Sequence, residues 1–131
     1  MAKTFGQLAA EARSEVEVLS PQDAQARIQS NPDALVLDVR QAEDLGDSCI
    51  PGALNIPLGV LPLRADTELP KSLTDERLQD RNQQVIVTCG GGGQAALGAK
   101  LLKDMGFNNV AMVDGGTRGW VNAGLPTEKP K

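Results

Sequence analysis

The segment Val85-Ile86-Val87-Thr88-Cys89-Gly90-Gly91-Gly92-Gly93-Gln94-Ala95-Ala96-Leu97 constrains the chain more than any other. Its first four residues are β-branched and run into glycines, which predicts a buried strand over Val85 to Thr88. Ala95, Ala96, Leu97, Ala99, Leu101 and Leu102 are good helix formers with an apolar stripe. A helix is expected from about Gln94 to Met105, closed by Gly106. Cys89 then falls at the carboxyl end of a strand, just ahead of a helix amino terminus. In open parallel sheets the ligand crevice lies at that edge. The unbonded N–H groups and positive dipole end of a helix start favour an anion, a thiolate included. Glycines let the backbone curl with its N–H groups turned inward as a nest for negative charge. A simple strand-to-helix turn needs one or two of them. Four in a row, each costly in backbone entropy, point to close approach of the backbone to a sulfur-bound anion. An unpaired cysteine is most often a small buried hydrophobe. The position of Cys89 argues for a functional thiol instead.

The rest of the chain alternates strands and helices. Residues from about Thr4 to Ser14 read as an amphipathic helix with Phe5, Leu8, Ala9 and Ala12 on one side. Val16 to Leu19 is a short strand. Ser20-Pro21 is an N-cap followed by proline at the first helical position, and the helix continues over Gln22 to Gln29, stopping near Asn31-Pro32. Leu35 to Val39 and Ala53 to Ile56 are further strands, with a short helix over Gln41 to Leu45 between them. Residues 57 to 71 form a long connection without an assigned element, and Leu73 to Gln79 is a helical turn or two. Val110 to Val113 is the fifth strand. Gly115-Gly116 turns into a last helix near Thr117 to Ala123, where Trp120 is read as core packing. This pattern predicts an α/β domain with a mainly parallel sheet and helices on both faces.

At 131 residues the chain has the size of one domain with a core of its own. Residues 1–15 are read as a helical extension and 127–131 as a frayed tail. A net charge of −4, with both signs mixed along the chain, gives no electrostatic reason to expect nucleic acid or an anionic membrane as partner. No apolar run is long enough to span a bilayer, and the amino terminus has no hydrophobic signal region. The cytoplasm is therefore the expected location, and a reduced thiol is easier to keep there. The chain has two cysteines, Cys49 and Cys89, and no histidine. That composition argues against a disulfide scaffold and against zinc. It also excludes Cys-His and Ser-His-Asp arrangements within the chain.

Four segments, in order, resemble the rhodanese-like domain, the sulfurtransferase fold. They are Leu37-Asp38-Val39-Arg40, then Ile50-Pro51-Gly52-Ala53-Leu54-Asn55-Ile56-Pro57, then Val85 to Cys89 with its glycine loop. The last is Gly106-Phe107, Val110, Gly115-Gly116, Trp120 and Gly124-Leu125-Pro126. Together they cover about Leu19 to Pro126. The resemblance implies a single domain over 1–131, with a three-layer α/β/α architecture around a five-stranded parallel sheet of the rhodanese type. It implies that Cys89 carries a persulfide while sulfur moves from thiosulfate or a persulfide donor to a thiol or cyanide acceptor. A protein sulfur acceptor is a further partner in keeping with it, and no metal or organic cofactor is implied. The residues it points to are Cys89 as nucleophile and Gly90, Gly91, Gly92, Gly93 and Gln94 as the substrate loop. Asp38, Arg40 and Arg64 are the supporting charges. Asp38 and Arg40 read first as an ion pair tying loops beneath the site. Arg64 is the candidate cation near the mouth, although a solvated loop residue is the commoner fate.

The chain departs from the family at two positions. The active loop usually ends in arginine five residues after the cysteine, and here that residue is Gln94. A neutral amide is a weaker anion ligand than a guanidinium fork, and losing one charge-assisted contact weakens binding by about 1.5–3 kcal/mol. Low affinity for thiosulfate is the expected consequence, and it keeps open a rival reading as a non-catalytic sulfur-carrier or protein-binding module. A phosphatase loop is one residue longer and also ends in arginine, whereas Ala95 stands there. The second departure is Cys49, where the family often has histidine. It is expected at the opposite end of the sheet from the active loop, too far for a disulfide, which needs α-carbons within about 7 Å.

Overall fold

The computed structural model describes residues 2–131. Five strands form one sheet: β1 (Glu17–Leu19), β2 (Leu35–Asp38), β3 (Leu54–Asn55), β4 (Val85–Thr88) and β5 (Val110–Val113). They lie in the order β1-β5-β4-β2-β3, and every neighbouring pair is parallel. Five α-helices cover it: α1 (Phe5–Arg13), α2 (Pro21–Ser30), α3 (Leu61–Ala65), α4 (Gly93–Asp104) and α5 (Gly116–Asn122).

The alternation of side chains along each strand sorts the core into two layers. Leu37, Val85, Val87 and Met112 face α1, α3 and α4, together with Ala12, Leu61, Ala65, Ala99 and Leu102. Val36, Ile86, Ala111 and Val113 face α2 and α5, together with Ala24 and Trp120. All four residues of β4 are buried, as a central parallel strand covered on both faces requires.

Local chemistry fixes the helix starts. Thr4 and Gln7 form a reciprocal capping box at α1, and the Ser20 hydroxyl accepts from Asp23 N–H at α2, with Pro21 in its first turn. In α1, only part of the predicted apolar face is covered. Ala12 is buried, whereas Phe5 and Leu8 stay 56% and 43% exposed. The Phe5 ring instead lies over Gly93, where a Cβ would sit 2.7 Å from its Cζ. The connection after β3 contains a 3₁₀ turn, Leu58–Val60, running into α3, and Leu61 and Ala65 are fully buried. The helical turn expected over Leu73 to Gln79 is a single 3₁₀ turn, Glu76–Leu78.

Two expectations are corrected. The tail is held as far as Glu128: Cys49 and Glu128 exchange backbone hydrogen bonds of 2.8 and 2.9 Å, and Gly52 N–H donates to the Glu128 carboxylate at 2.7 Å. Cys49 lies in the loop beyond β2 with its sulfur 4.0 Å from Arg40 Nη2, rather than at the far end of the sheet. The reason lies in β3, which is two residues long and pairs only with Leu37 and Asp38, the last residues of β2. The chain therefore does not travel back to the amino edge before pairing.

Asp38 and Arg40 hold that loop in place. Asp38 is buried and accepts three bonds from the Arg40 guanidinium, at 2.7–3.2 Å, and one from Arg40 N–H at 3.1 Å. Arg40 also donates, at 3.4 Å, to the carbonyls of Leu45 and Ser48. Donating these hydrogen bonds to Asp38 raises the Arg40 pKa above its ordinary value. Removing one member of a buried pair leaves the other charge uncompensated. Asp38→Ala is predicted to lower unfolding stability by about 3–5 kcal/mol in a denaturant titration. A loss below 1 kcal/mol would contradict a structural role for the pair.

Candidate active site

Cys89 follows β4 directly, and its loop is shaped by what packs behind it. Thr117 N–H, in the first turn of α5, donates to Cys89 O at 2.8 Å, and Arg118 N–H donates to Gly90 O at 3.0 Å. The Thr88 and Thr117 hydroxyls meet at 3.0 Å beneath them. A trans peptide points its N–H opposite its C=O. With the carbonyls of Cys89 and Gly90 turned to α5, the N–H groups of Gly90 and Gly91 turn away from it, and both residues line an open cleft of about 900 Å³.

Two glycines make this packing possible. Gly92 enters α4 at φ +110°, a conformation that side-chain-bearing residues avoid. Gly116, at φ +62°, lies so close to the loop that a Cβ would be 2.8 Å from the carbonyls of Cys89 and Gly90 and 2.9 Å from Gly92 N.

The Cys89 thiol is buried within the loop, and Gly92 N–H donates to its sulfur at 3.0 Å. No side chain caps α4. Among the described residues, the N–H groups of Gly93, Gln94 and Ala95 find no acceptor. They are the orphan donors of a helix start, and the dipole of a 12-residue helix adds to their preference for negative charge. Gly93 and Gln94 both line the cleft, and Gln94 is exposed. Phe5 and Val121 form an apolar rim, and Asp44 and Asp47 lie on its lining with Arg40 and Arg118.

The sequence-predicted residues separate into two groups. Cys89, Gly90, Gly91, Gly93, Gln94 and Arg40 share the cleft, with Gly92 as the donor to sulfur and Asp38 behind Arg40. Arg64 is elsewhere: on α3, its Nη1 donates to Leu73 O at 2.6 Å, and it serves the loop that follows α3. Besides Arg40, which is paired with Asp38, the cleft is lined by a second cation, Arg118, which the sequence reading passed over. The signal was present in Gly115-Gly116, since a helix opening at that turn begins at the same edge of the sheet as the Cys89 loop. Cys49 lies within 4.0 Å of the Arg40 guanidinium, and burial pushes its thiol pKa up against the opposing pull of that charge. Among the described residues no three Cys, Asp or Glu side chains gather as a metal-ligand set, and no helix is long and apolar enough to cross a membrane.

The chain belongs to the rhodanese-like domain family, whose model matches residues 20–123. A protein of Allochromatium vinosum named sulfurtransferase is 25% identical over 116 residues, covering 88% of this chain and 98% of the relative. A putative sulfur carrier protein of Bacillus subtilis is 29% identical over 115 residues, and the match spans only 56% of that longer protein. A solved structure from Rhodopseudomonas palustris, described as a protein of unknown function and possible tyrosine phosphatase, superposes with a TM-score of 0.88. It is 31% identical, with 98% of this chain and 96% of that one covered.

Positive φ at one residue costs of order 1–3 kcal/mol and the overpacking adds about 1–3 kcal/mol more, together within the total stability of a typical domain. Gly116→Ala is therefore predicted to leave the far-ultraviolet circular dichroism intact while changing the alkylation rate of Cys89 by iodoacetamide at least several-fold. Unchanged labelling would contradict the coupling of α5 to the loop.

Proposed function

We propose that the protein is a sulfurtransferase in which Cys89 carries the transferred sulfur as a persulfide. The observation that supports this reading most is the placement of the Cys89 thiol on an open cleft at the amino terminus of α4, with Gly92 N–H donating to its sulfur at 3.0 Å. The Cys89 thiolate attacks the outer sulfur of a donor. A bond forms between Sγ and that sulfur, the donor's own bond to it breaks, and the electron pair departs with the leaving group, sulfite in the case of thiosulfate. The product, Cys89–S–S⁻, places its charge one bond further from the loop, toward the uncommitted N–H groups of the α4 amino terminus. Donors already aimed at a developing charge need no rearrangement as it forms. A thiol or cyanide acceptor then attacks the outer sulfur and leaves Cys89 as thiolate, a ping-pong cycle. The reaction needs no metal or organic cofactor, and the cytoplasm suits a cysteine that must return to its reduced state.

The rival reading, a sulfur-carrier or binding module without turnover of small donors, draws support from the neutral Gln94 and from the exposed apolar rim of Phe5 and Val121. Phosphoester hydrolysis, the possibility raised for the Rhodopseudomonas palustris protein, is disfavoured by the loop. The residue that would supply the cation of a longer phosphatase loop is Ala95, a fully buried methyl in the first turn of α4.

Steady-state kinetics with a sulfane donor and an acceptor separate these readings. Parallel double-reciprocal lines that vanish in Cys89→Ser are expected, with no hydrolysis of an aryl phosphate. Turnover that persists in Cys89→Ser would refute the mechanism. Gln94→Arg is predicted to lower the Michaelis constant for thiosulfate about tenfold or more, the equivalent of one charge-assisted contact. An unchanged constant would remove the loop residue from donor binding.

A further inference from the structure

The loop itself carries no positive side chain, yet the cleft holds one uncommitted cation. Arg118 is an exposed residue on the first turn of α5, and its backbone is tied to the loop through Gly90 O at 3.0 Å. Its Nη1 lies 3.6 Å from the point where a Cβ on Gly91 would stand, so the guanidinium rests over bare backbone beside the turned-out N–H groups. No carboxylate pairs with it among the described residues. The other cation of the cleft, Arg40, is committed to Asp38 by three side-chain bonds.

We propose that Arg118 is the specificity-determining residue of this site: it binds the anionic end of the sulfur donor, the end that departs when the outer sulfur passes to Cys89. The inference rests on the reading of Cys89 as sulfur acceptor. A guanidinium matches a compact oxyanion with two parallel hydrogen bonds. Asp44 and Asp47 line the same cleft and carry the opposite sign. One free cation against two carboxylates selects a donor whose negative charge is gathered at one end, as a sulfonate or a carboxylate, over one charged along its length. In the transfer from thiosulfate, the Sγ–S bond forms as the bond to the sulfonate sulfur breaks. Sulfite leaves with the electron pair, and Arg118 meets the charge it carries away.

The test has two arms. In the first, thiosulfate is titrated calorimetrically into Cys89→Ser protein, which cannot react, with and without Arg118→Gln. Binding about tenfold weaker without the arginine is expected, with Arg118→Lys in between. Equal affinity would overturn the proposal. In the second, persulfide formation is followed against donor concentration, using thiosulfate and a carboxylate-bearing persulfide. For Arg118→Gln the half-saturating concentration of both donors should rise, while sulfur removal by an uncharged thiol keeps its rate. A slowing shared by that second half-reaction would also overturn it. If wild-type protein binds thiosulfate through Arg118 yet forms no persulfide, the role of Cys89 fails and that of Arg118 stands. If wild type and Arg118→Gln load sulfur alike, the reverse holds.

Discussion

Two backbone hydrogen bonds, Thr117 N–H to Cys89 O and Arg118 N–H to Gly90 O, hold the reactive edge of the sheet together. Carbonyls at the end of a buried strand must find donors or suffer desolvation. Here the donors come from the first turn of α5. Because the carbonyls are turned that way, the following N–H groups are turned toward the cleft. The Gly115-Gly116 turn after β5 and the glycine loop after β4 are thus two halves of one arrangement. A side chain at Gly116 would push the halves apart.

The sheet delivers these halves to each other. β4 and β5 are neighbours with parallel strands in register from Val85 and Val110 onward, so the segments that leave them emerge side by side. On the other flank β2 ends opposite Thr88, and Arg40 emerges next to the loop with its charge neutralised by Asp38. The cleft thus holds one thiol with a backbone donor on its sulfur, one arginine paired with Asp38, one unpaired arginine, and two carboxylates, Asp44 and Asp47, on its lining.

The sequence reading succeeded where local composition decides the outcome. β4 and β5 keep their predicted limits because β-branched and apolar residues, seven of the eight of them buried, lie between turn-forming segments. The starts of α1 and α2 are fixed by side-chain caps. It failed where the answer depends on strand order. Arg64 was chosen as the mouth cation from its place in an unassigned loop, while Arg118 reaches the cleft only because β5 lies beside β4. Cys49 was sent to the wrong end because it precedes a parallel strand, whereas β3 is so short that it pairs only with the carboxyl end of β2. Pro51 and Pro57 flank β3, and only Leu54 and Asn55 pair. Phe5 was placed with Ala12 on the apolar side of α1, but Ala12 is buried while the Phe5 ring lies over Gly93 at the start of α4, largely exposed at the cleft rim.

The central claim is that Cys89 accepts sulfur, and intact mass spectrometry tests it most directly. Wild type and Cys89→Ser would be incubated with thiosulfate or a small-molecule persulfide, desalted without reductant and weighed. The account predicts a gain of one sulfur atom on wild type, reversed by cyanide, and none on Cys89→Ser. A gain that persists in Cys89→Ser, or no gain on wild type from either donor, would contradict it.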